Sequence, residues 1–410
     1  MKITSILITL VLFGLIDLYV FKGLSGIIQE LQPLYRFLII SGYWIISVVA
    51  LILVIYGVSN RHNFDSTNTL TLIIGIFITL LIPKVIFMLF HALDDMYNLA
   101  IFGISKISLD SDFSRRNFIS QLGLLASGFM FGSMVYGIIW GKFDFRVIRN
   151  DIVSKKIPKT FDGIRIVQLS DAHLGSFVDS FEPIKKAVQM INELEPHYVF
   201  FTGDLVNNHA EEARPWIEIF NGIKAKDGKF SVFGNHDYAD YGNFTREERN
   251  MSVEQLKKIH QGMGFKLLED ENVKLTREGE SIRLIGVHNW GKGFHQVGNL
   301  QRAIEGTSEG EFQILLSHDP THFEEQVKNK TTIDLTLSGH THGMQMGIEV
   351  PALNIKWSPV KVRYRRWAGL YEENGQKIYI NRGFGVLAYP GRVGMSPEIT
   401  LLTLRSENKV

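Results

Sequence analysis

The stretch LSGHTHGMQ, residues 337–345, gives the strongest indication of fold and chemistry in the chain. It places His340 and His342 one residue apart, directly after an apolar run at 333–337 that we predict to be a strand. Two imidazoles behind a tight glycine turn can reach neighbouring positions, and imidazole nitrogen is a common metal ligand. The stretch therefore predicts a metal-ligating turn at the end of a strand.

Similar polar clusters follow other predicted strands. These clusters are Ser170-Asp171-Ala172-His173, Gly203-Asp204, Gly234-Asn235-His236-Asp237 and His318-Asp319. In open α/β sheets the carboxyl ends of the strands form the crevice that binds ligands, so clusters far apart in sequence can meet there. Asp, Asn and His supply donors suited to Mn, Fe or Zn, and one shared carboxylate can hold two such ions about 3.5–4 Å apart. Each cluster alone is weak, because an isolated Asp-X-His is more often a surface turn, and only the set supports a metal site.

The composition divides the chain into two parts. It has 410 residues, 43 Lys plus Arg, 42 Asp plus Glu and no cysteine. This excludes a strongly basic nucleic-acid binder, disulfides, thiolate metal sites and a cysteine nucleophile. Residues 1–140 hold only 15 of the 85 charged side chains. We therefore predict a multi-pass transmembrane domain at 1–141 and an α/β domain at 142–410, where short strands alternate with amphipathic helices.

Four apolar stretches, at about 3–19, 37–58, 70–90 and 118–140, approach the ~20 residues that an α-helix needs to cross a membrane. We predict a bundle of about four transmembrane helices. The first stretch is short and contains Asp17, so an uncleaved signal-like segment or an interfacial helix is its alternative. Lys84 in the third stretch is interpreted as a snorkelling or helix-end lysine, because no second intramembrane charge offers it an obvious partner. No transporter is predicted.

The order Asp-X-His, Gly-Asp, Gly-Asn-His-Asp, His, Gly-His-X-His resembles the calcineurin-like metallophosphoesterase superfamily over about residues 160–400. The resemblance implies a layered α/β/β/α sandwich and a metal-dependent phosphoric ester hydrolase. The stretches at 170–175, 337–345, 383–385 and 390–399 look like the membrane-associated bacterial phosphodiesterase branch, which includes enzymes similar to UDP-diacylglucosamine pyrophosphatases. Met344 departs from that branch, which usually has a second glycine there, and its side chain could narrow the pocket or alter substrate choice.

The resemblance also implies a role for each candidate residue. Asp171, His173 and His342 would hold one divalent ion, Asn235, His318 and His340 would hold a second, and Asp204 would bridge them. The nucleophile would be a metal-bound hydroxide that attacks phosphorus in line with the leaving group. His236 would be the catalytic residue that stabilises the transition state or protonates the leaving oxygen. Asp237 would either orient His236 or cap a turn.

Several other histidines are interpreted as lying outside this centre. His197, His209 and His260 are predicted to be surface residues. His288 and His295 lie in a Gly-rich stretch that could border the site, and contact with substrate is the less favoured interpretation for both.

We predict a membrane-anchored two-metal phosphohydrolase that cleaves a phosphodiester or pyrophosphate bond. A lipid-linked or envelope precursor is the candidate substrate, and the lipid bilayer is the other partner. No specific nucleic acid is predicted, since near-neutral charge and membrane attachment disfavour it. The alternatives are a nucleotide or nucleic-acid phosphodiesterase, which uses the same two-metal chemistry, and a non-catalytic membrane sensor with a degenerate phosphoesterase domain.

Positive charge flanks both sides of the predicted spans, so counting it does not decide their orientation. Arg115 and Arg116 directly precede the fourth stretch and resemble the twin-arginine export signal of bacteria, which a moderately apolar, Gly-containing segment follows. We therefore predict a bacterial inner-membrane protein whose catalytic domain lies outside the cytoplasm. The alternatives are that the arginines anchor a helix at lipid headgroups, and that the basic run at 142–159 keeps the domain in the cytoplasm.

Residues 356–367 contain five cations, three aromatic side chains and no acid. Alternation of Lys361, Arg363 and Arg365 would place three charges on one face of an extended strand. Such a surface could meet anionic phospholipid headgroups or the phosphate end of a substrate. It could equally be a solvated edge strand that charge protects from aggregation.

Overall fold

The structure is a computed structural model that describes residues 3–59, 67–105, 113–178, 180–350, 353 and 355–407. The chain divides into two compact units, Met1–Ile138 and Ile139–Val410. Within the described ranges the first unit is helical, and the second contains two large β-sheets with helices.

Four long helices form the first unit. They are α1 (Ile3–Ile27), α2 (Pro33–Ser59), α3 (Thr67–Ser105) and α4 (Phe113–Ile139). Each contains a segment long and apolar enough to cross a membrane, namely Leu10–Ile27, Pro33–Gly57, Thr69–Ala100 and Asn117–Ile139. A helix pairs its backbone polar groups internally, as a bilayer core requires. The prediction of a bundle of about four transmembrane helices is confirmed, with the first candidate span at Leu10–Ile27 and not at 3–19.

Lys84 has an acidic partner within the helical unit. Its Nζ lies 2.5 Å from Asp17 Oδ1 on α1 and donates a hydrogen bond to Ser47 Oγ on α2 at 2.8 Å. Tyr43 Oη, also on α2, lies 3.1 Å from Asp17 Oδ1. The interpretation of Lys84 as a lysine without a partner was wrong, because Asp17 of the first stretch pairs with it across the bundle. These contacts connect α1, α2 and α3.

Arg115, the first arginine of the predicted export signal, also has partners inside the helical unit. Its Nε lies 3.3 Å from Asp94 Oδ1, and its Nη2 donates to Asn98 Oδ1 at 2.5 Å. The guanidinium carbon lies 4.2 Å from the centre of the Tyr97 ring. Arg115 therefore connects α4 to α3, which gives this arginine a structural role independent of export.

The second unit consists of short strands and helices. Its strands are β1 (Arg146–Ser154), β2 (Arg165–Leu169), β3 (Tyr198–Thr202), β4 (Gly228–Val232), β5 (Lys266–Leu267), β6 (Glu271–Arg277), β7 (Glu280–Gly286), β8 (Gln313–Leu316), β9 (Leu335–Ser338), β10 (Ile348–Val350), β11 (Ile355–Trp357), β12 (Gly369–Glu373), β13 (Gln376–Ile380) and β14 (Glu398–Ser406). Its α-helices are α5 (Phe181–Glu193), α6 (Ile217–Asn221), α7 (Arg246–Gly262) and α8 (Leu300–Ala303).

Two six-stranded sheets form the framework of this unit. The first has the order β1-β14-β2-β3-β4-β5, and the second has the order β12-β13-β9-β8-β7-β6. Strands β2 to β5 pair in parallel in the first sheet, and β7, β8, β9 and β13 pair in parallel in the second. In register, Val167 lies opposite Val199 and Leu315 opposite Thr336. The parallel strands of each sheet therefore end at one common edge.

Three buried apolar clusters define the layers. Both sheets contribute to the central cluster, which includes Ile166, Phe200, Leu284, Leu316 and Leu337. Opposite faces of the same strands pack outward, through Phe201 against α5 and α7 in one cluster and through Leu315 against α8 in another. Strands buried on both faces are apolar at nearly every position, as their sequences are. The predicted α/β/β/α sandwich is confirmed.

The basic stretch at 356–367 is only partly extended. β11 ends at Trp357, and Ser358 caps a 3₁₀ turn at Pro359–Val362. The prediction of an extended strand across the cations was wrong, because Pro359 presets a helical φ and the Ser358 side chain satisfies the first turn. The three cations of that prediction, Lys361, Arg363 and Arg365, are nevertheless exposed.

Candidate metal centre

The predicted ligands follow the carboxyl ends of five parallel strands. Asp171 and His173 follow β2, Asp204 follows β3, Asn235 follows β4, His318 follows β8, and His340 and His342 follow β9. All are buried except His340, which is partly exposed. Side chains from two sheets therefore meet at one edge of the sandwich, where open α/β sheets bind ligands.

Asp171, His173 and His342 form the first of two groups whose donor atoms all lie within 4.8 Å of one another. His342 Nε2 lies 3.1 Å from Asp171 Oδ1 and 3.1 Å from His173 Nε2. Burial, followed by the neighbouring His342, holds the pKa of His173 well below its usual range. The His173 ring is therefore neutral and keeps a lone pair that a divalent ion can accept.

Asp204, His318 and His340 form the second group. His318 Nε2 lies 3.1 Å from Asp204 Oδ2 and 3.3 Å from His340 Nδ1. His318 Nδ1 donates to the carbonyl oxygen of Thr202 at 2.8 Å, which directs Nε2 toward the carboxylate. Burial lowers the pKa of His318, but the charges of Asp204 and Asp171 outweigh it and raise the pKa to about 10. A field that favours protonation so strongly also favours a bound cation.

Asp204 lies between the two groups. Its Oδ2 is 3.1 Å from His318 Nε2 of the second group and 3.6 Å from His173 Nε2 of the first. On the other side, Asp171 Oδ1 is 4.0 Å from His318 Nε2. A carboxylate in this position can contact an ion in each group.

Each group draws its ligands from both sheets. The first takes two side chains that follow β2 and one that follows β9, and the second takes one after β3 and two after β8 and β9. The sheets also meet through the central apolar cluster and through hydrogen bonds, among them those from Gln168 Nε2 to the carbonyl oxygen of Ser338 at 2.9 Å and from Tyr379 Oη to Glu398 Oε1 at 2.6 Å. An ion held by either group would therefore connect the two sheets.

The hydrogen bonding of Asn235 indicates that the site suits a cation. Its Nδ2 donates to Tyr241 Oη at 2.8 Å, whereas its buried Oδ1 has no hydrogen-bond partner among the described residues. A buried oxygen left unpaired costs about 1–3 kcal/mol, which a ligand outside the chain would offset. Together with the carboxylates and imidazoles, this amide oxygen completes a donor set that fits Mn, Fe or Zn.

Five of the seven predicted ligands have a left-handed backbone. The φ angles are 52° at Asp171, 43° at His173, 59° at Asp204, 70° at His340 and 51° at His342. Such conformations are uncommon outside glycine, cost about 1–3 kcal/mol each and cluster at functional sites. The backbone therefore turns sharply after β2, β3 and β9, at the positions of the candidate ligands.

The glycines that precede the ligand turns are required by close approach. A Cβ at Gly339 would meet the Asp171 carboxylate, and a Cβ at Gly234 would meet the Asp204 carboxylate. Only glycine lets these two strand ends pass so close to a charged ligand, which explains its place in both motifs.

His236 borders both groups and belongs to neither. Its Nδ1 lies 2.6 Å from the carbonyl oxygen of Asn207 and donates to it, so Nε2 is the nitrogen that can exchange a proton at the substrate. Its ring stacks on Tyr241 with centres 4.2 Å apart and meets the His173 ring edge-on at 5.0 Å. Its backbone N–H donates to Asp204 Oδ1 at 2.8 Å, which ties His236 to the candidate bridging carboxylate.

Asp237 contacts the backbone of the ligand turns. Its Oδ2 accepts from the N–H groups of Asp204 and Gly234 at 2.9 and 2.8 Å, and its Oδ1 accepts from Leu205 at 2.9 Å. Burial, and then the charge of Asp204, raise the pKa of Asp237 to about 7. These contacts match the turn-capping alternative and hold the ends of β3 and β4 together.

Glu212 supports the candidate site from a position that the sequence analysis did not identify. Its carboxylate accepts from the backbone N–H groups of Asn207, Asn208 and His209 at 2.7, 3.0 and 3.2 Å. It thereby fixes the loop whose Asn207 carbonyl faces His236. The detectable signal was the three-residue spacing of His209 and Glu212, which form a capping box at the start of a 3₁₀ turn.

Tyr364 and Phe294 were missed as well. Tyr364 Oη lies 2.9 Å from His340 Nε2, on the side of the ring opposite the candidate ligand nitrogen. The Phe294 ring stands edge-on to His340 with centres 4.5 Å apart. The Gly-rich stretch thus reaches the site through Phe294, whereas its neighbour His295 pairs with Asp240 at 2.6 Å.

His260 corrects a prediction of a different kind. It was interpreted as a surface histidine, yet it is only 1% exposed on the inner face of α7. The rings of Phe233 and Phe201 lie 5.4 and 6.1 Å away. Burial lowers the pKa of His260 to about 3, so it is a neutral core residue.

The two ligand groups, the sandwich that presents them and the adjacent histidine define a metal-dependent phosphoester hydrolase. Residues 164–344 match the family described as calcineurin-like phosphoesterase, and residues 2–142 match the family described as the transmembrane domain of probable calcineurin-like phosphoesterases. The chain belongs to the calcineurin-like metallophosphoesterases, in a form with an N-terminal four-helix membrane domain.

Named relatives agree with this assignment. A Bacillus subtilis protein called uncharacterized metallophosphoesterase YkuE is 31% identical over 310 residues, which cover 72% of this chain and 99% of the relative. A Danio rerio protein called transmembrane protein with metallophosphoesterase domain is 29% identical and is covered to 60% of its length, against 66% of this chain. A Helicobacter pylori (strain J99) uncharacterized metallophosphoesterase is 27% identical, with 77% of this chain and 79% of the relative covered.

Proposed function

We propose that this membrane-anchored enzyme holds two divalent metal ions and cleaves a phosphodiester or pyrophosphate bond. Asp171, His173 and His342 would bind one ion, and His318, His340 and Asn235 the other. The ions would be Mn, Fe or Zn, which suit this mixture of oxygen and nitrogen donors.

The main support for two ions is the position of Asp204 between the two ligand groups. One carboxylate oxygen lies within 3.6 Å of an imidazole nitrogen in each ligand group, at His173 and His318. A carboxylate that both groups share supports two ions that act together on one phosphoryl group.

The protein contributes position and proton transfer. Two divalent cations, when bound, supply Lewis acidity that activates water and neutralises phosphoryl charge. The buried carboxylates and imidazoles keep bulk water away from the ions. The Asn207 carbonyl accepts a hydrogen bond from His236 Nδ1–H, which leaves Nε2 for the substrate. As a general acid the ring would carry a proton on both nitrogens and would give the Nε2 proton to the leaving oxygen.

A lipid-linked phosphate ester or pyrophosphate is the substrate class we propose, because four apolar helices keep the enzyme at a bilayer. We also propose a bacterial inner membrane, with the catalytic unit outside the cytoplasm. Support for that placement comes from Arg115 and Arg116 ahead of a Gly-containing span. The Arg115–Asp94 contact offers a competing explanation for one of these arginines, which makes the orientation a matter for direct measurement.

The test is hydrolysis by the purified full-length protein supplied with Mn²⁺. Aryl phosphodiesters and lipid pyrophosphates should be cleaved in preference to aryl phosphomonoesters, and a chelator should abolish cleavage. Protein with Asp204→Asn, purified in parallel, controls for contaminating phosphatases. Activity confined to phosphomonoesters would contradict the proposed bond type.

A further inference from the structure

We infer that the surface around the 3₁₀ turn at Pro359–Val362 docks onto anionic lipid headgroups of the bilayer that anchors the chain. This docking surface consists of the exposed apolar side chains Ile348, Leu353, Ile355, Trp357 and Val362 and of the exposed cations Lys361, Arg363 and Arg365. The proposed hydrolysis neither requires this contact nor predicts it.

Apolar exposure on this surface exceeds what a solvated edge strand would show. Val362 is 95% exposed, the largest fraction for any large apolar side chain in the described part of the chain. Leu353 is 68% exposed and Trp357 is 50% exposed. Ile348 lies directly opposite Trp357 in the antiparallel β10–β11 pair, so these two exposed side chains adjoin. Adjacent exposed apolar side chains mark interaction sites, and a tryptophan beside cations is typical of contact with the membrane interface.

The charges of the docking surface are uncompensated. Within the described ranges, no acidic side chain forms an ion pair with Lys361, Arg363 or Arg365, and the Arg363 guanidinium lies over the rings of Phe294 and Tyr364 at 4.9 and 5.5 Å. Arg366, by contrast, is buried and pairs with two glutamates. Glu349 of β10 is already held by Arg382 at 2.8 Å. A cation cluster without acids complements the negative headgroups of a membrane surface.

The docking surface is held rigidly beside the candidate metal centre. Val360, Tyr364 and Trp367, which flank the exposed residues, pack into a small buried core with Ala368 and Met395. Tyr364 Oη contacts His340 at 2.9 Å, and the carbonyl oxygen of Trp367 accepts from Thr341 Oγ1 at 2.6 Å. Docking would therefore bring headgroup phosphates to the edge of the site, a consequence for substrate access that does rest on the proposed function.

The partner of this docking surface is the bilayer that the chain's own transmembrane helices span. These helices keep lipid permanently within reach, so even weak individual contacts act at high effective concentration. A mixture of exposed apolar side chains and cations suits shallow insertion at headgroup depth, whereas the core of a stable protein interface is depleted of charge.

The cysteine-free sequence allows a direct test. Val362→Cys in the full-length chain would be labelled with an environment-sensitive fluorophore, and the protein would be placed in nanodiscs that contain lipid-borne quenchers. Met251→Cys on α7, where the native side chain is 69% exposed, is the matched control. The nanodiscs would consist of phosphatidylcholine alone or of phosphatidylcholine with phosphatidylglycerol.

We expect a blue shift and strong quenching at position 362 in the anionic nanodiscs, and neither at position 251. Quenching should fall in high salt, which screens charge beyond about 3 Å at 1 M, and in the added double variant Lys361→Glu, Arg365→Glu. An unchanged thermal unfolding midpoint would show that this variant folds. Equal quenching at both labels, or equal quenching in neutral and anionic nanodiscs, would overturn the inference. Hydrolysis of a soluble aryl phosphodiester, measured separately, distinguishes that failure from failure of the proposed function.

Discussion

Lys84 Nζ lies 2.5 Å from Asp17 Oδ1, so α3 and α1 share an ion pair in which both side chains are largely buried. Removal of one partner from such a pair leaves an uncompensated charge, which is costly, whereas removal of both leaves none. We therefore expect single substitutions of this pair to lower the stability of the helical unit more than the double substitution does.

We expect Lys84→Met or Asp17→Asn alone to destabilise the helical unit by about 2.5–3.5 kcal/mol, because each substitution leaves the other side chain buried without an opposite charge. The double variant should recover much of that loss. SDS-induced unfolding of the full chain would measure all three. Lys22→Met is the control, because its pair with Asp95 is largely exposed and should contribute less than about 1 kcal/mol. Additive single effects would contradict the pairing.

Asp204→Asn or His340→Ala should reduce hydrolysis to background and lower metal content, since each replaces a candidate ligand by a poorer donor or by none. Metal analysis and turnover would be measured on the same preparations. His197→Ala is the matched control, because His197 lies at the opposite end of β3 from Asp204. Near-native turnover in either ligand variant would refute the two-metal assignment.

His236→Ala should keep its metals but lose roughly 10²- to 10⁴-fold in turnover if the ring is a general acid. The loss should be smaller for p-nitrophenyl than for alkyl leaving groups, because a good leaving group needs no proton. Equal losses would show that His236 acts through charge or position instead.

His260 makes stability depend on pH in a predictable direction. The unfolded chain binds a proton at this residue below its ordinary pKa of 6.5, whereas the folded chain excludes it until about 3. Stability should therefore be unaffected above pH 6.5 and fall by up to about 1.4 kcal/mol per pH unit below it. His260→Phe, which suits the aromatic surroundings, should reduce this slope in denaturant titrations at pH 7, 6 and 5. Parallel slopes for the two proteins would rule out a titrating core histidine.

Orientation is tested by fusing a reporter that is active only outside the cytoplasm to Val410. Signal is expected from the native fusion and not from Arg115→Lys with Arg116→Lys, if the pair directs export. Asp94→Asn separates the two roles of Arg115, because it breaks the ion pair with α3 and retains both arginines. Absence of signal from the native fusion would place the active site in the cytoplasm.

The candidate ligands were readable from sequence because each follows a short apolar strand, and parallel strands bring their carboxyl ends together. The motif Gly339-His340-Thr341-His342 could be recognised without knowing which distant residues lie against it. Glu212 and Tyr364 could not be found in this way, because their importance depends on which backbone or ring the fold places against them. The apolar runs at 37–58 and 70–90 were equally readable, since length and composition alone specify a span.

The incorrect predictions have two physical causes. The Lys84–Asp17 pair and the buried face of His260 both depend on how helices pack, and helical periodicity does not identify the neighbour. The extended reading of Lys361 to Arg365 failed for a local reason, because charge alternation was weighed above the turn-forming pair Ser358-Pro359.

Both candidate ligand groups take side chains from the two sheets of the sandwich, in a chain that has no cysteine with which to cross-link them. Bound ions would take the place that disulfides hold in many extracellular domains, and the stabilisation would grow with the logarithm of free metal concentration. Scarcity of metal would then lower the amount of folded enzyme as well as its rate.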